Sequence, residues 1–151
     1  MLVKKQLTFL VVFLFSVMMM AQQTAIYTSP LTDYQKALQL FNNQQYLAAQ
    51  TLFSQVKKQT DNPNIESDCA FYIANSAIRL NQQGADTMME NFVENYPTST
   101  KKNTAFLDVA DYYFENGKYA YAQKWYEKVD EASMSRADRE KFNFNNGYAS
   151  F

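Results

Sequence analysis

Residues Phe106 to Val129, FLDVADYYFENGKYAYAQKWYEKV, decide the fold. Phe106, Val109, Ala110 and Tyr113 fall at i, i+3, i+4 and i+7, which puts them on one face of a helix. Asn116 and Gly117 then break the pattern, glycine accepting the left-handed backbone that ends helices. Tyr119, Ala122, Tyr126 and Val129 form a second apolar stripe. Two such helices and a short turn make an antiparallel hairpin.

The same spelling recurs on both sides of this hairpin. Ala37, Ala74, Ala110 and Gly147 are small residues 37, 36 and 37 apart, and Ala49, Ala85 and Ala122 follow at 36 and 37. The larger residues Phe53, Met89 and Tyr126 keep the interval, as do Val56, Phe92 and Val129. A period in the range of roughly 20–50 residues marks stacked supersecondary units that cannot bury their own faces alone. Helices are expected near 30–42, 46–59, 64–82, 85–95, 99–116, 119–130 and 136–150. Ser29 and Pro30 supply a cap and a first helical position for the earliest of them.

These residues resemble the tetratricopeptide repeat (TPR) family, over about 30–151. In that family a small residue midway along the first helix of each pair lets the second approach, and a small residue early in the second helix accepts the next unit. Ala37, Ala74, Ala110 and Gly147 match the first role; Ala49, Ala85 and Ala122 match the second. Gln44 stands where the turn glycine is usual, while Gly84 and Gly117 stand at turns. The resemblance implies an all-α, right-handed superhelix of about three and a half repeats, with units near 30–62, 64–97 and 99–131 and a half unit at 136–151. It also implies a concave face that receives a peptide or protein partner. On that face it places Tyr34, Phe71, Asn75, Arg79, Asp111, Phe114 and Glu115. The family's clamp for a terminal carboxylate does not carry over, because Asp108 and Asp111 occupy neighbouring inner positions and would repel it.

The first residues stand outside the repeat. Lys4 and Lys5, an apolar run from Leu7 to Met20, and Ala21 have the order of a secretory signal peptide, and the run is shorter than the about 20 residues of a membrane span. Cleavage after Ala21 is expected, with an uncleaved inner-membrane anchor as the alternative. Residues 22–29 then form a short linker. Without Lys4 and Lys5, 12 basic residues face 15 acidic ones, a net charge of −3 that speaks against nucleic acid or an acidic membrane as partner.

With no histidine, the commonest general base and metal ligand are missing. The single cysteine, Cys69, allows neither an intrachain disulfide nor a cysteine zinc site, and its apolar neighbours assign it to the core. Asp108, Asp111 and Glu115 read as a solvated acidic edge. No catalytic, metal or cofactor residue is therefore expected. Asp86, Thr87 and Met88 match a three-residue O-glycosylation signal.

The chain is expected to be a non-enzymatic interaction scaffold of the bacterial cell envelope, periplasmic or associated with the outer membrane. The alternative is the amino-terminal docking or sensor domain of a larger enzyme or regulator continuing beyond Phe151. Gly147 sits midway along a first helix that no second helix follows, so the chain reads as the amino-terminal part of a longer repeat protein. Phe142, Phe144, Tyr148 and Phe151 are expected to lie exposed there and to promote self-association.

Overall fold

A computed structural model describes residues 30–151. The expected signal peptide (1–21) and the expected linker (22–29), which includes the cap candidate Ser29, lie outside the described residues. Among the described residues the chain is all-helical: α1 (Pro30–Asn42), α2 (Tyr46–Gln59), α3 (Pro63–Arg79), α4 (Ala85–Asn95), α5 (Lys102–Glu115), α6 (Tyr119–Tyr126) and α7 (Arg136–Ala149), with a 3₁₀ turn at Glu131–Ser133.

Local chemistry sets the boundaries. At the start of α3, the Asn62 side chain accepts hydrogen bonds from the backbone of Asn64 at 2.9 Å and Ile65 at 3.3 Å, and Pro63 fills the first turn. Ser135 caps α7 by accepting from the Asp138 N–H at 3.2 Å, while its hydroxyl donates to the Asp138 carboxylate at 2.7 Å. α6 ends four residues before its expected limit. Its last turn tightens into i→i−3 bonds, from the N–H of Lys128 to Trp125 and of Val129 to Tyr126, each 3.1 Å.

Three helix ends share one hydrogen-bond pattern. The N–H of Gln44, Asn81 and Gly117 each bonds the carbonyl three residues back. The following residue, Gln45, Gln82 or Lys118, bonds the carbonyl five back. This double closure requires a left-handed residue at the turn, and φ is +60°, +53° and +70° at the three positions. The turns therefore recur at 37 and 36 residues, like the alanines. In the second of them Asn81 is the turn residue, which ends α3 at Arg79 rather than 82. Gly84, at φ +78°, forms a separate bend that opens α4.

Gln44 holds a backbone conformation that costs an ordinary L-residue roughly 1–2 kcal/mol. Gln44→Gly relieves that strain but adds freedom to the unfolded chain. A net gain of about 0.5–1 kcal/mol is expected, read as a higher urea midpoint. Gly117→Ala should move the midpoint the other way.

Packing follows chain order. Each helix lies against the next, and α1 with α3, α3 with α5, and α5 with α7 also touch. The six alanines are buried at 0–5% exposure, so neighbouring helices close directly onto them. Gly147 departs from the expected packing role. It is exposed, and a Cβ there would meet nothing within 4 Å, because no described element covers that face of α7. Phe142 departs as well: it is buried, edge-on to Tyr126 at 5.4 Å, whereas Phe144, Tyr148 and Phe151 are exposed.

The core has two parts. Ala37, Ala49, Phe53, Val56 and Cys69 form one, and α3 to α7 enclose the larger one. Tyr72 packs against both, stacked on Phe53 at 4.9 Å and edge-on to Phe71 at 5.1 Å. Burial, reinforced by the Asp68 carboxylate and opposed by Lys57, pushes the Cys69 thiol up to about 12, so it is an inert core group.

Candidate functional site

The four odd-numbered helices line one groove of about 350 Å³. α1 gives Phe41; α3 gives Phe71, Tyr72, Asn75 and Arg79; α5 gives Asp108, Asp111, Tyr112 and Glu115. Lys101, just before α5, and Lys141 of α7 complete it. Residues 72 and 108, 75 and 111, and 79 and 115 are each 36 apart, so the middle of the groove comes from equivalent turns of α3 and α5.

Aromatic rings hold its cations. The Arg79 guanidinium lies 5.1 Å from the Phe41 ring, 5.6 Å from Tyr46 and 4.9 Å from Tyr112. The Lys101 ammonium stands 5.1 Å from Tyr72 and 5.4 Å from Phe71. Lys141 is fixed differently, 2.8 Å from Asp111 and 3.6 Å from Glu115, and these carboxylates raise its pKa.

Asp111 is the polar hub of this end. One carboxylate oxygen accepts from the Tyr126 hydroxyl at 2.6 Å and from the Asn145 amide at 3.1 Å, and the other meets Lys141. Asn145 and Tyr126 are buried, so the carboxylate ties α5, α6 and α7 together. Burial and this hydrogen bond raise the Tyr126 pKa.

Asp108 has no such partners. Among the described residues it forms no ion pair within 4.0 Å. Burial pushes its carboxyl up from 3.8 to about 6; Arg79 opposes this, Asp111 adds to it, and Lys101 and Lys141 oppose it. Between about pH 4 and 6 the folded state keeps a proton that the unfolded state has lost, so this group's contribution to stability falls as pH rises through that window. Asp108→Asn should raise stability at pH 7.5 by on the order of 1–2 kcal/mol. The gap should shrink at pH 4.5, as read from urea midpoints of both proteins.

Five of the seven residues expected on a partner face line this groove: Phe71, Asn75, Arg79, Asp111 and Glu115. Of these, Phe71 is chiefly a core residue, and Asp111 is engaged by its own chain. Tyr34 lies elsewhere, its hydroxyl donating to Asp68 at 2.7 Å and its ring edge-on to Phe53. Phe114 also lies elsewhere, packed edge-on to Tyr119 at 5.3 Å and Tyr148 at 5.7 Å. Phe41, Tyr72, Lys101, Tyr112 and Lys141 were not foreseen. Tyr72 was within reach of the register, 36 residues before Asp108; Lys101, in a connection, was not.

Among the described residues no group of three or more Cys, Asp or Glu could hold a metal ion, and no helix is long and apolar enough to cross a membrane. Thr87 is exposed on the first turn of α4. No protein-family model, no curated protein and no solved structure matches the chain.

Proposed function

We propose that this chain is a TPR-like α-solenoid acting as a non-catalytic interaction scaffold of the bacterial cell envelope, with the groove of the odd helices as its partner face. The observation that carries the reading is the groove itself. All four odd helices line one surface, α3 and α5 contribute equivalent positions to it, and among the described residues Asn75 Oδ1 has no hydrogen-bond partner and Asp108 no ion pair. The equal spacing of the three left-handed turns and the buried alanine pairs support the repeat. The basic, apolar and small-residue order of 1–21 supports export.

A photo-crosslinking residue at Glu115 in the groove, compared with one at exposed Gln55 on α2, tests the proposal in cells. A discrete adduct from position 115 and none from 55 is the expected result. Adducts from 55 alone would move the partner to the even helices and overturn the assignment of the face.

A further inference from the structure

The second unit departs from the other two at its turn. Phe41 and Tyr46 pack edge-on across the first left-handed turn, and Phe114 and Tyr119 do the same across the third, each pair at 5.3 Å. The residues in register with them in the second unit are Ile78 and Gln83, which have no rings. With no ring to dock at position 83, α4 begins only at Ala85, four residues after Asn81. By contrast, α2 and α6 begin two residues after their own turn residues, Gln44 and Gly117. A cavity of about 330 Å³ opens at this corner. Buried Ile78 floors it, and Asn81, Asp86, Thr87, Tyr113 and Tyr121 stand around it.

Thr87 is the reactive group at its rim. It is exposed, and it is the central residue of the Asp86–Thr87–Met88 signal. Serine and threonine hydroxyls within helices commonly bond back to a carbonyl of the preceding turn. Thr51, Ser54, Ser67 and Thr104 do so, at 2.8 to 3.4 Å, whereas among the described residues Thr87 makes no such bond. Gly84 gives α4 no side-chain cap, so the turn that carries Thr87 opens at low cost. An enzyme that reads three consecutive residues needs that turn extended.

The cavity has the chemistry of a sugar site. A sugar ring presents hydroxyls around its edge and C–H bonds on its faces. The cavity offers the Asn81 amide and the Asp86 carboxylate beside two phenol rings 5.5 Å apart, each with an apolar body and a polar tip. Its volume lies at the lower end of small-molecule sites, about 300–1,000 Å³, which suits one sugar ring better than a long ligand.

We propose that Thr87 carries an O-linked saccharide whose first ring sits in the cavity beside Tyr113 and Tyr121. The donor is a glycosyl phosphate or diphosphate, used by a separate transferase. Thr87 Oγ1 forms a bond to the anomeric carbon, and the bond from that carbon to the donor's phosphate breaks. The phosphate leaves with the electron pair, and the hydroxyl proton passes to a base of the transferase. The assignment goes beyond the scaffold reading and does not depend on what the odd-helix groove binds.

The chain is to be purified from the cells that encode it and cut with trypsin, which releases residues 80–101 as one peptide. That peptide is expected to be heavier than its sequence by whole sugar residues. Electron-transfer fragmentation should place them on Thr87 and not on Thr98, Ser99 or Thr100. Thr87→Ser should keep the addition, while Thr87→Ala and Asp86→Ala should each lose it and remain folded by circular dichroism. The ring signals of Tyr113 and Tyr121 should differ between the modified chain and the same chain made by cell-free synthesis without sugar donors. Peptide 80–101 at its sequence mass, or an addition on another of its residues, overturns the linkage. A sugar on Thr87 that leaves both tyrosine signals unmoved overturns its seat in the cavity. Movement of those signals by free N-acetylglucosamine, with 80–101 at its sequence mass, would replace the linkage by a site for a free sugar.

Discussion

Phe53→Ala is expected to lower stability by about 3–5 kcal/mol, the usual range for deleting a buried phenyl ring. Phe53 is 0% exposed and is the largest side chain of the smaller core, where only Ala37, Ala49, Val56 and Cys69 are also fully enclosed. Its ring lies parallel to Tyr72 at 4.9 Å and edge-on to Tyr34 at 6.0 Å, so truncation takes a ring neighbour from each, leaving Tyr72 with Phe41 and Phe71. The damage should be local. Amides of α1 and α2 should lose most of their protection against hydrogen exchange, while α5 and α6 keep theirs. Uniform loss across both regions would show a single cooperative core and count against the division at Tyr72.

Asp111→Ala should cost about 2–4 kcal/mol, since a buried hydroxyl or amide left without its partner costs about 1–3 kcal/mol. Tyr126 and Asn145 are 1% and 5% exposed and would lose the oxygen they share. Lys141 contributes less, because its half-exposed ammonium returns to water or shifts to Glu115. Asp111→Asn keeps an acceptor oxygen in the same shape and should recover part of the loss. A variant in which alanine and asparagine are equally mild would mean that the three bonds add nothing to the docking of α7. Thermal or urea unfolding of the three proteins side by side decides it.

Helix positions were legible in the sequence because each unit writes its apolar stripe at helical spacing. Four expected helices have their observed limits within one residue at each end: α1, α2, α4 and α7. The others erred where hydrogen bonding, rather than periodicity, sets the end. Gly84 drew attention as the turn residue of the second unit, but Asn81 occupies the left-handed position, as asparagine tolerates that backbone.

The groove was partly legible, since equivalent positions on α3 and α5 must share a face. What no local pattern reveals is whether a polar residue is already engaged. Asp111 and Asn75 are 36 residues apart and equivalent in register, yet one is saturated by Tyr126, Asn145 and Lys141 and the other has an unpaired oxygen. That difference depends on what α6 and α7 bring back toward α5, and α3 has no counterpart to it. Asp108 and Asp111 looked like one solvated acidic edge; burial separates them into a carboxyl raised to about 6 and a saturated anchor.

The order of packing also has a kinetic meaning. Helices touch the next helix or the next but one, and contacts of that kind close only short loops of chain. Topologies dominated by such near-neighbour contacts cross their folding barriers in microseconds to milliseconds. The α1–α2 hairpin can pack once α3 has followed it, since Cys69 of α3 completes its core, without waiting for α7. A chain that emerges gradually, from a ribosome or through a membrane pore, can therefore acquire its structure in the order in which it emerges.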